Sequence, residues 1–142
     1  MAPIVTVPDD VWVHPAVRVR PSPIAGDGLF VEVDVPAGTP LLRFGGRTVS
    51  TSELHELVRR VEADGGFVDT LTIDDDSHLV LPPGTVAHYG NHSCDPSTWL
   101  GAPLELVARR DLEPGAELTV DYGVISDDPS FRMECTCGTA AC

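Results

Sequence analysis

The stretch Asn91-His92-Ser93-Cys94-Asp95-Pro96 brings an amide, an imidazole and a thiol together within a few residues. It holds one of the four cysteines of the chain, and the other three form the terminal pattern Cys135-x-Cys137-x4-Cys142. One solitary and three clustered thiols match the ligand number of a closed, tetrahedral zinc site. A zinc ion would therefore join the chain end, where disorder is common, to a loop far upstream.

Two alternatives to zinc follow from the same residues. The four cysteines could form two disulfides, or Cys94 could act as a nucleophile with His92 as its base. A thiolate bound to zinc is not free to attack, so the zinc and nucleophile interpretations of Cys94 exclude each other. A lone histidine is most often structural, but Asn91 and His92 side by side offer several donors and acceptors to a polar ligand.

Composition favours one acidic domain. The chain has 142 residues and a net charge of -13, and the segment 62–76 is rich in carboxylates without any Arg. Such a surface repels the nucleic acid backbone and attracts cationic partners, although a solvated acidic face is the simpler interpretation. No apolar leader follows Met1 and no apolar run could span a bilayer, so we expect a soluble, intracellular protein without membrane contact.

Frequent Pro and Gly residues, 13 of each, separate short β-prone runs and predict a mainly β protein with few short helices. The predicted strands are 17–20, 29–33, 41–44, 67–73, 78–81, 104–109 and 117–122. We expect an N-terminal extension or edge strand over 1–16, with the strand near 11–13. Residues 126–142 include few apolar residues and should not fold without a cross-link such as a bound metal ion.

One helix is predicted after Ser50. The apolar residues Leu54, Leu57, Val58 and Val61 follow helical spacing and form a single stripe. Ser50 and Glu53 can form a capping box at its start, and Gly65-Gly66 ends it.

Two further motifs are weak when taken alone. Gly26-Asp27-Gly28 lacks the third glycine and the following helix of a dinucleotide fingerprint, so it is either a turn or a place where a ligand approaches the backbone. Tyr122 stands at the end of a predicted strand, where tyrosine usually packs but can also position a reacting group.

Taken in order, these motifs resemble those of SET-domain protein lysine methyltransferases with a C-terminal post-SET zinc motif. The resemblance runs from Val17 to Cys142. The motifs that carry it are Ile24-Ala25-Gly26-Asp27-Gly28-Leu29-Phe30, the stretch 91–96, the segment 108–123 with its Glu117-Leu118-Thr119-Val120-Asp121-Tyr122-Gly123 end, and Cys135-x-Cys137-Gly138-x3-Cys142.

The resemblance implies a β-clip fold of small curled sheets with a C-terminal pseudoknot, a catalytic domain over 17–125 and a post-SET tail over 126–142. It implies Tyr122 as the catalytic residue and Cys94, Cys135, Cys137 and Cys142 as ligands of one structural zinc ion. It further implies S-adenosylmethionine as the cofactor. The residues expected to bind that cofactor are Gly26, Asp27, Gly28, His88, Tyr89, Asn91 and His92.

Three positions depart from the family pattern. Ser97 stands where Asn is frequent, and His88 stands where Arg is frequent. Val120 replaces a larger aromatic residue two positions before Tyr122, which leaves room for additional methyl groups on the product.

The resulting hypothesis is an S-adenosylmethionine-dependent methyltransferase that acts on the ε-amine of lysine. All nine basic residues are Arg, so a lysine product must form on another molecule. The acidic surface favours a basic partner protein, histone-like or other, in the cytoplasm or at chromatin. The alternatives are an inactive, zinc-stapled binding module and a hydrolase that uses Cys94 and His92.

Overall fold

A computed structural model describes residues 6–125 and 129–142. Residues 1–5 of the predicted extension and residues 126–128 of the predicted tail lie outside this part. The strands are β1 (Trp12–Val13), β2 (Val17–Pro21), β3 (Asp27–Val31), β4 (Pro40–Arg43), β5 (Arg47–Val49), β6 (Thr70–Asp74), β7 (Ser77–Val80), β8 (Asn91–His92), β9 (Thr98–Leu100), β10 (Glu105–Ala108) and β11 (Glu117–Val120). The helical elements are α1 (Thr51–Ala63) and two 3-10 turns, Val86–Tyr89 and Tyr122–Val124.

The strands form three small sheets around a shared core. Their orders are β1-β4-β10-β9, β2-β3-β11-β8 and β5-β7-β6. The pair β8-β11 is parallel, and the other described pairs are antiparallel. Apolar side chains from all three sheets meet in one cluster, in which Val31, Leu41 and Leu79 are at most 1% exposed. The mainly β architecture agrees with the sequence prediction.

Helix α1 begins with the predicted capping box. The Ser50 hydroxyl accepts a hydrogen bond from the Glu53 amide, and the Glu53 carboxylate accepts one from the Ser50 amide. The predicted apolar stripe, represented by Leu57 and Val61, is only half-buried, so α1 packs at the rim beside β7 rather than in the core. Over residues 6–125 and 129–142, no helix combines the length and hydropathy needed to cross a bilayer.

The strand prediction was wrong in several places. Strands β5 and β9 were not predicted, and the run predicted to begin at Phe67 becomes a strand only at Thr70, leaving Phe67 72% exposed. The Asn91-His92 pair, expected in a loop, forms β8 because it pairs with Thr119 and Val120 far along the chain. Strands of two or three residues are too short to show an alternating pattern, so only tertiary pairing defines them.

The segment that follows β8 is hydrogen-bonded to β11, the strand to which β8 itself pairs. Ser97 and Thr119 exchange two hydrogen bonds of 2.9 Å, from each backbone amide to the other's hydroxyl. The Ser97 hydroxyl also donates to the Glu117 carbonyl at 2.7 Å, and the Thr98 hydroxyl donates to the Thr119 carbonyl at 2.7 Å. Hydroxyl groups of Ser97, Thr98 and Thr119 therefore satisfy backbone groups where the segment after β8 meets β11.

Replacing Ser97 by alanine should lower the free energy of unfolding by about 1–3 kcal/mol, because the buried Thr119 amide would lose its acceptor. Urea denaturation measures the change. The matched control is Ser52→Ala on the exposed face of α1, which should change stability by less than about 0.5 kcal/mol. Equal stabilities of the two variants would contradict a supporting role for the Ser97 hydroxyl.

Candidate functional site

Asn91 ties the Gly-Asp-Gly segment to strand β11. Its Nδ2 atom donates to the Ala25 carbonyl at 3.1 Å, the Asp27 carbonyl at 3.2 Å and the Glu117 carboxylate at 3.2 Å. The parallel pairing of β8 with β11 sets this position, since Asn91 lies opposite Thr119. The structure thus brings together Asn91 and the segment 25–28, which are distant in sequence.

The Glu117 carboxylate lies directly against the backbone of Gly28. A Cβ atom at this position would lie 2.1 Å from Oε1 of Glu117, the same oxygen that accepts from Asn91. A larger residue would therefore displace Glu117 and disturb the Asn91 contacts. Sequence analysis did not select Glu117, and the available signal was its place at the start of the motif that ends in Tyr122.

His92 contacts both Tyr122 and Cys94. Its Nδ1 atom accepts a hydrogen bond from the Tyr122 amide at 3.1 Å, and its Nε2 atom is 3.4 Å from the Cys94 sulfur. Because Nδ1 accepts, the ring proton resides on Nε2 and points toward sulfur. A protonated Nε2 cannot take a proton from Cys94, which argues against the hydrolase interpretation.

Tyr122 lines a largely apolar cavity of about 480 Å³. Its hydroxyl donates to the Gly90 carbonyl at 2.8 Å, and its ring contacts those of His92 and Phe131, with centroids 5.2 Å and 6.4 Å away. Burial, followed by the negative charge of Asp69, raises the pKa of the Tyr122 phenol above its ordinary value. Tyr122 therefore remains a neutral hydrogen-bond donor at physiological pH.

The four cysteines converge on one point. Their sulfurs all lie within 4.8 Å of one another, and those of Cys94 and Cys135 are 3.7 Å apart. Four zinc–sulfur bonds of about 2.3 Å in a tetrahedron separate the sulfurs by about 3.8 Å. All four residues are free thiols, so the disulfide alternative does not describe this structure.

Hydrogen bonds distribute charge unevenly among these thiols. The backbone amide of Cys94 and the hydroxyl and amide of Thr139 lower the pKa of Cys137 to about 5. A hydrogen bond to Cys135, together with burial, raises the pKa of Cys94 to about 12. Negative charge therefore settles first on Cys137, and a cation bound among the sulfurs would favour the remaining thiolates.

The tail also contacts the Gly-Asp-Gly segment directly. The Thr136 hydroxyl donates to the Ile24 carbonyl at 2.9 Å, between two of the clustered cysteines in sequence. Sequence analysis gave no signal for Thr136, because the contact depends on where the cysteine cluster lies.

His88 and Tyr89 occupy the 3-10 turn directly before β8. His88 Nδ1 is 2.6 Å from the Asp69 carboxylate, and its ring contacts the rings of Phe67 and Tyr89. His88 and Asp69 both line the Tyr122 cavity. The expectation that His88 and Tyr89 contact the cofactor stays a prediction. The sequence singled out Asp69 only as one carboxylate of the acidic segment 62–76.

Comparison with known proteins identifies the family. The model of the SET domain matches residues 26–123, more than half of the chain. The chain belongs to the SET-domain family, and the predicted SET fold is confirmed. The motifs at 26–28, 91–94 and 117–123 all lie within the matched range.

Several curated relatives carry the same type of name. Histone-lysine N-methyltransferase TRX1 of Oryza sativa is 33% identical over 133 residues, covering 85% of this chain and 13% of the relative. An H3 lysine-4 specific histone-lysine N-methyltransferase of Cryptococcus neoformans is 30% identical, covering 96% and 10%. Human histone-lysine N-methyltransferase 2B is 27% identical, covering 89% and 5%. The chain thus spans a small fraction of these relatives' length.

Proposed function

We propose that this protein transfers a methyl group from S-adenosylmethionine to the ε-amine of a lysine on a partner protein. The observation that carries the proposal is the chain of contacts from Asn91 through His92 to Tyr122. It links the segment 25–28 to Tyr122, whose backbone amide donates to His92 and whose side chain lines the apolar cavity. The names of the relatives support the same reaction class.

The acceptors around Asn91 fit the cofactor. S-adenosylmethionine carries a charged amino group, and bound in this site it would supply the methyl group as part of a sulfonium. The Ala25 and Asp27 carbonyls each retain a second lone pair beside the Glu117 carboxylate, so they suit an ammonium group. We assign binding to Gly26, Asp27, Gly28, Asn91 and His92.

The residues of the cavity would prepare the lysine. An ammonium group with an ordinary pKa near 10.4 must lose a proton before it attacks. Burial among apolar side chains such as Val120 and Ile125 favours the neutral amine. The Tyr122 phenol, held by Gly90, would orient that amine, so that most of the acceleration comes from alignment and fixed dipoles.

The cysteine cluster would bind one structural zinc ion. Four protein sulfurs leave no open position for water or substrate. Zinc would hold the tail so that Phe131 stays against Tyr122 and Thr136 against Ile24. We retain the division into an extension (1–16), a catalytic domain (17–125) and a zinc tail (126–142) as part of this proposal.

A basic substrate protein follows from the charge of the chain. The net charge of -13 attracts cationic segments, and the chain contains no Lys of its own. Free thiols suit the reducing interior of a cell, where we place the reaction.

Incubation with labelled S-adenosylmethionine and lysine peptides of either charge tests the reaction and its substrate class. Label should appear on the ε-amine, and basic peptides should react faster at low salt. Equal turnover would reject the substrate class, and cofactor binding without any transfer would favour the inactive module.

Replacing Asn91 by leucine should weaken S-adenosylmethionine binding at least about 10-fold, since the Ala25 and Asp27 carbonyls and the Glu117 carboxylate would lose their donor and the segment 25–28 would no longer be held beside β11. Isothermal titration calorimetry measures the affinity. The control is Asp34→Asn, a substitution at an exposed position away from the site. Unchanged affinity in Asn91→Leu would remove this loop from the cofactor site.

A further inference from the structure

The Tyr122 cavity contains an imidazole–carboxylate pair that the mechanism above does not use. His88 Nδ1 and the Asp69 carboxylate are 2.6 Å apart, and both residues line the cavity beside Tyr122 and Gly90. The Asp69 side chain is 28% exposed and the His88 side chain 49% exposed, so the pair lies where a substrate can reach it. The two residues come from separate segments, 67–69 and the turn before β8, which the fold brings together.

The arrangement resembles the way enzymes orient a general base. A carboxylate bound to one nitrogen of an imidazole fixes the tautomer, leaves the other nitrogen free to accept a proton and stabilises the imidazolium that forms. With Asp69 at Nδ1, the accepting atom of His88 is Nε2. Imidazole is the side chain whose protonation ordinarily changes between pH 5 and 8.

We propose that His88 is the general base that takes the proton from the substrate ammonium, and that Asp69 is its positioning residue. This inference rests on the proposed function. The proton leaves the ε-ammonium nitrogen and binds Nε2 of His88, which becomes an imidazolium paired with the Asp69 carboxylate. The nitrogen lone pair then forms the bond to the methyl carbon while the carbon–sulfur bond breaks, and its electron pair returns to sulfur.

The surroundings of His88 favour this direction of transfer. His88 contacts the Asp69 carboxylate and the Tyr89 ring, and the other titratable or charged residues that line its two cavities are Tyr122, Glu62 of α1 and Arg47 of β5. The nearest of these is the Asp69 carboxylate, which accepts from Nδ1 and leaves Nε2 to accept the proton. The apolar cavity wall disfavours the charged form of a buried amine, which favours loss of its proton there.

The kinetic test is the pH dependence of kcat/KM in the full chain. At pH 7, His88→Gln should lower kcat/KM by about 10²-fold, the lower end of the range for general bases. The loss should shrink as pH rises, since the substrate amine then deprotonates without help. Asp69→Asn should show a smaller loss with the same pH dependence. The control His55→Gln, on the exposed face of α1, should retain the wild-type profile. A wild-type profile in His88→Gln, or a loss of equal size at every pH, overturns the proposal.

A second measurement does not require turnover. Isothermal titration of n-butylamine in two buffers of different ionisation enthalpy counts the protons released on binding. The wild-type protein should release almost none, because His88 keeps the proton, whereas His88→Gln should release about one to the buffer for each neutral amine bound. Equal proton counts, or no binding of n-butylamine to the wild type, reject the proposal. Failure of methyl transfer together with the expected proton counts would instead reject the proposed function alone.

Discussion

The Tyr122→Phe protein should lose methyl transfer by about 10²–10³-fold, the effect of removing one preorganised hydrogen-bond donor from an active site. Phenylalanine preserves the ring contacts to His92 and Phe131 but removes the hydroxyl bound to Gly90. The hydrogen bonds of Asn91 do not involve that hydroxyl, so affinity for S-adenosylmethionine should stay within about twofold. Single-turnover transfer of labelled methyl to a basic lysine peptide, together with calorimetry of cofactor binding, measures both quantities.

A surface aromatic provides the control for this experiment. Trp99 on β9 is 53% exposed, and Trp99→Phe should leave both rate and affinity unchanged. If Tyr122→Phe retains the wild-type rate, the phenol does not act in the reaction. If cofactor affinity falls together with the rate, the hydroxyl acts through binding instead of orientation.

Removal of zinc should produce the second large effect. A chelator, or the Cys94→Ser substitution, should release the tail 129–142, because its described residues are mostly exposed and its sulfurs would lose their common ligand. Phe131 and Thr136 would then leave Tyr122 and Ile24, so methyl transfer should fall below about 10% of wild type and cofactor binding should weaken. The core formed by β3, β4 and β7 should survive, since none of the four cysteines belongs to it.

Two measurements and a control variant test the role of zinc in holding the tail. Elemental analysis should find about one zinc per chain in the wild type and a reduced content in Cys94→Ser. Hydrogen exchange should become fast in 129–142 while strands β4 and β10 stay protected. The tail variant Ala141→Ser changes an exposed residue that is not a ligand, and it should retain zinc and activity. Identical hydrogen-exchange rates of residues 129–142 with and without chelator would contradict the proposal that zinc holds the tail in place.

Much of the candidate site was predictable because its chemistry is carried by residue types with few substitutes. The four cysteines were expected to meet, and their sulfurs lie within 4.8 Å of one another. The order of the Gly-Asp-Gly, Asn-His and Tyr122 motifs predicted the family, and the match over residues 26–123 confirmed it. The capping box of α1 was also predictable, since Ser50 and Glu53 interact locally.

Other parts of the site depend on pairings that no local pattern encodes. Asp69 was one carboxylate in an acidic run until the fold placed it against His88. Glu117 acquires its role only because Gly28 leaves room for its carboxylate. Strand β8 has two residues and exists because β11 lies beside it.

The sequence by itself determined the mainly β class, the family and the set of four thiols, because residue identity and order carry that information. Only the tertiary structure decided which side chains face one cavity and which nitrogen of His92 bears the proton. It also decided that Asp69 and His88 form a pair. The physical reason is that these features arise from contacts between residues far apart in sequence, such as the parallel pairing of β8 with β11 and the hydrogen bonds between Ser97 and Thr119. Hydrophobic periodicity describes neighbours along the chain, whereas this site is assembled across it.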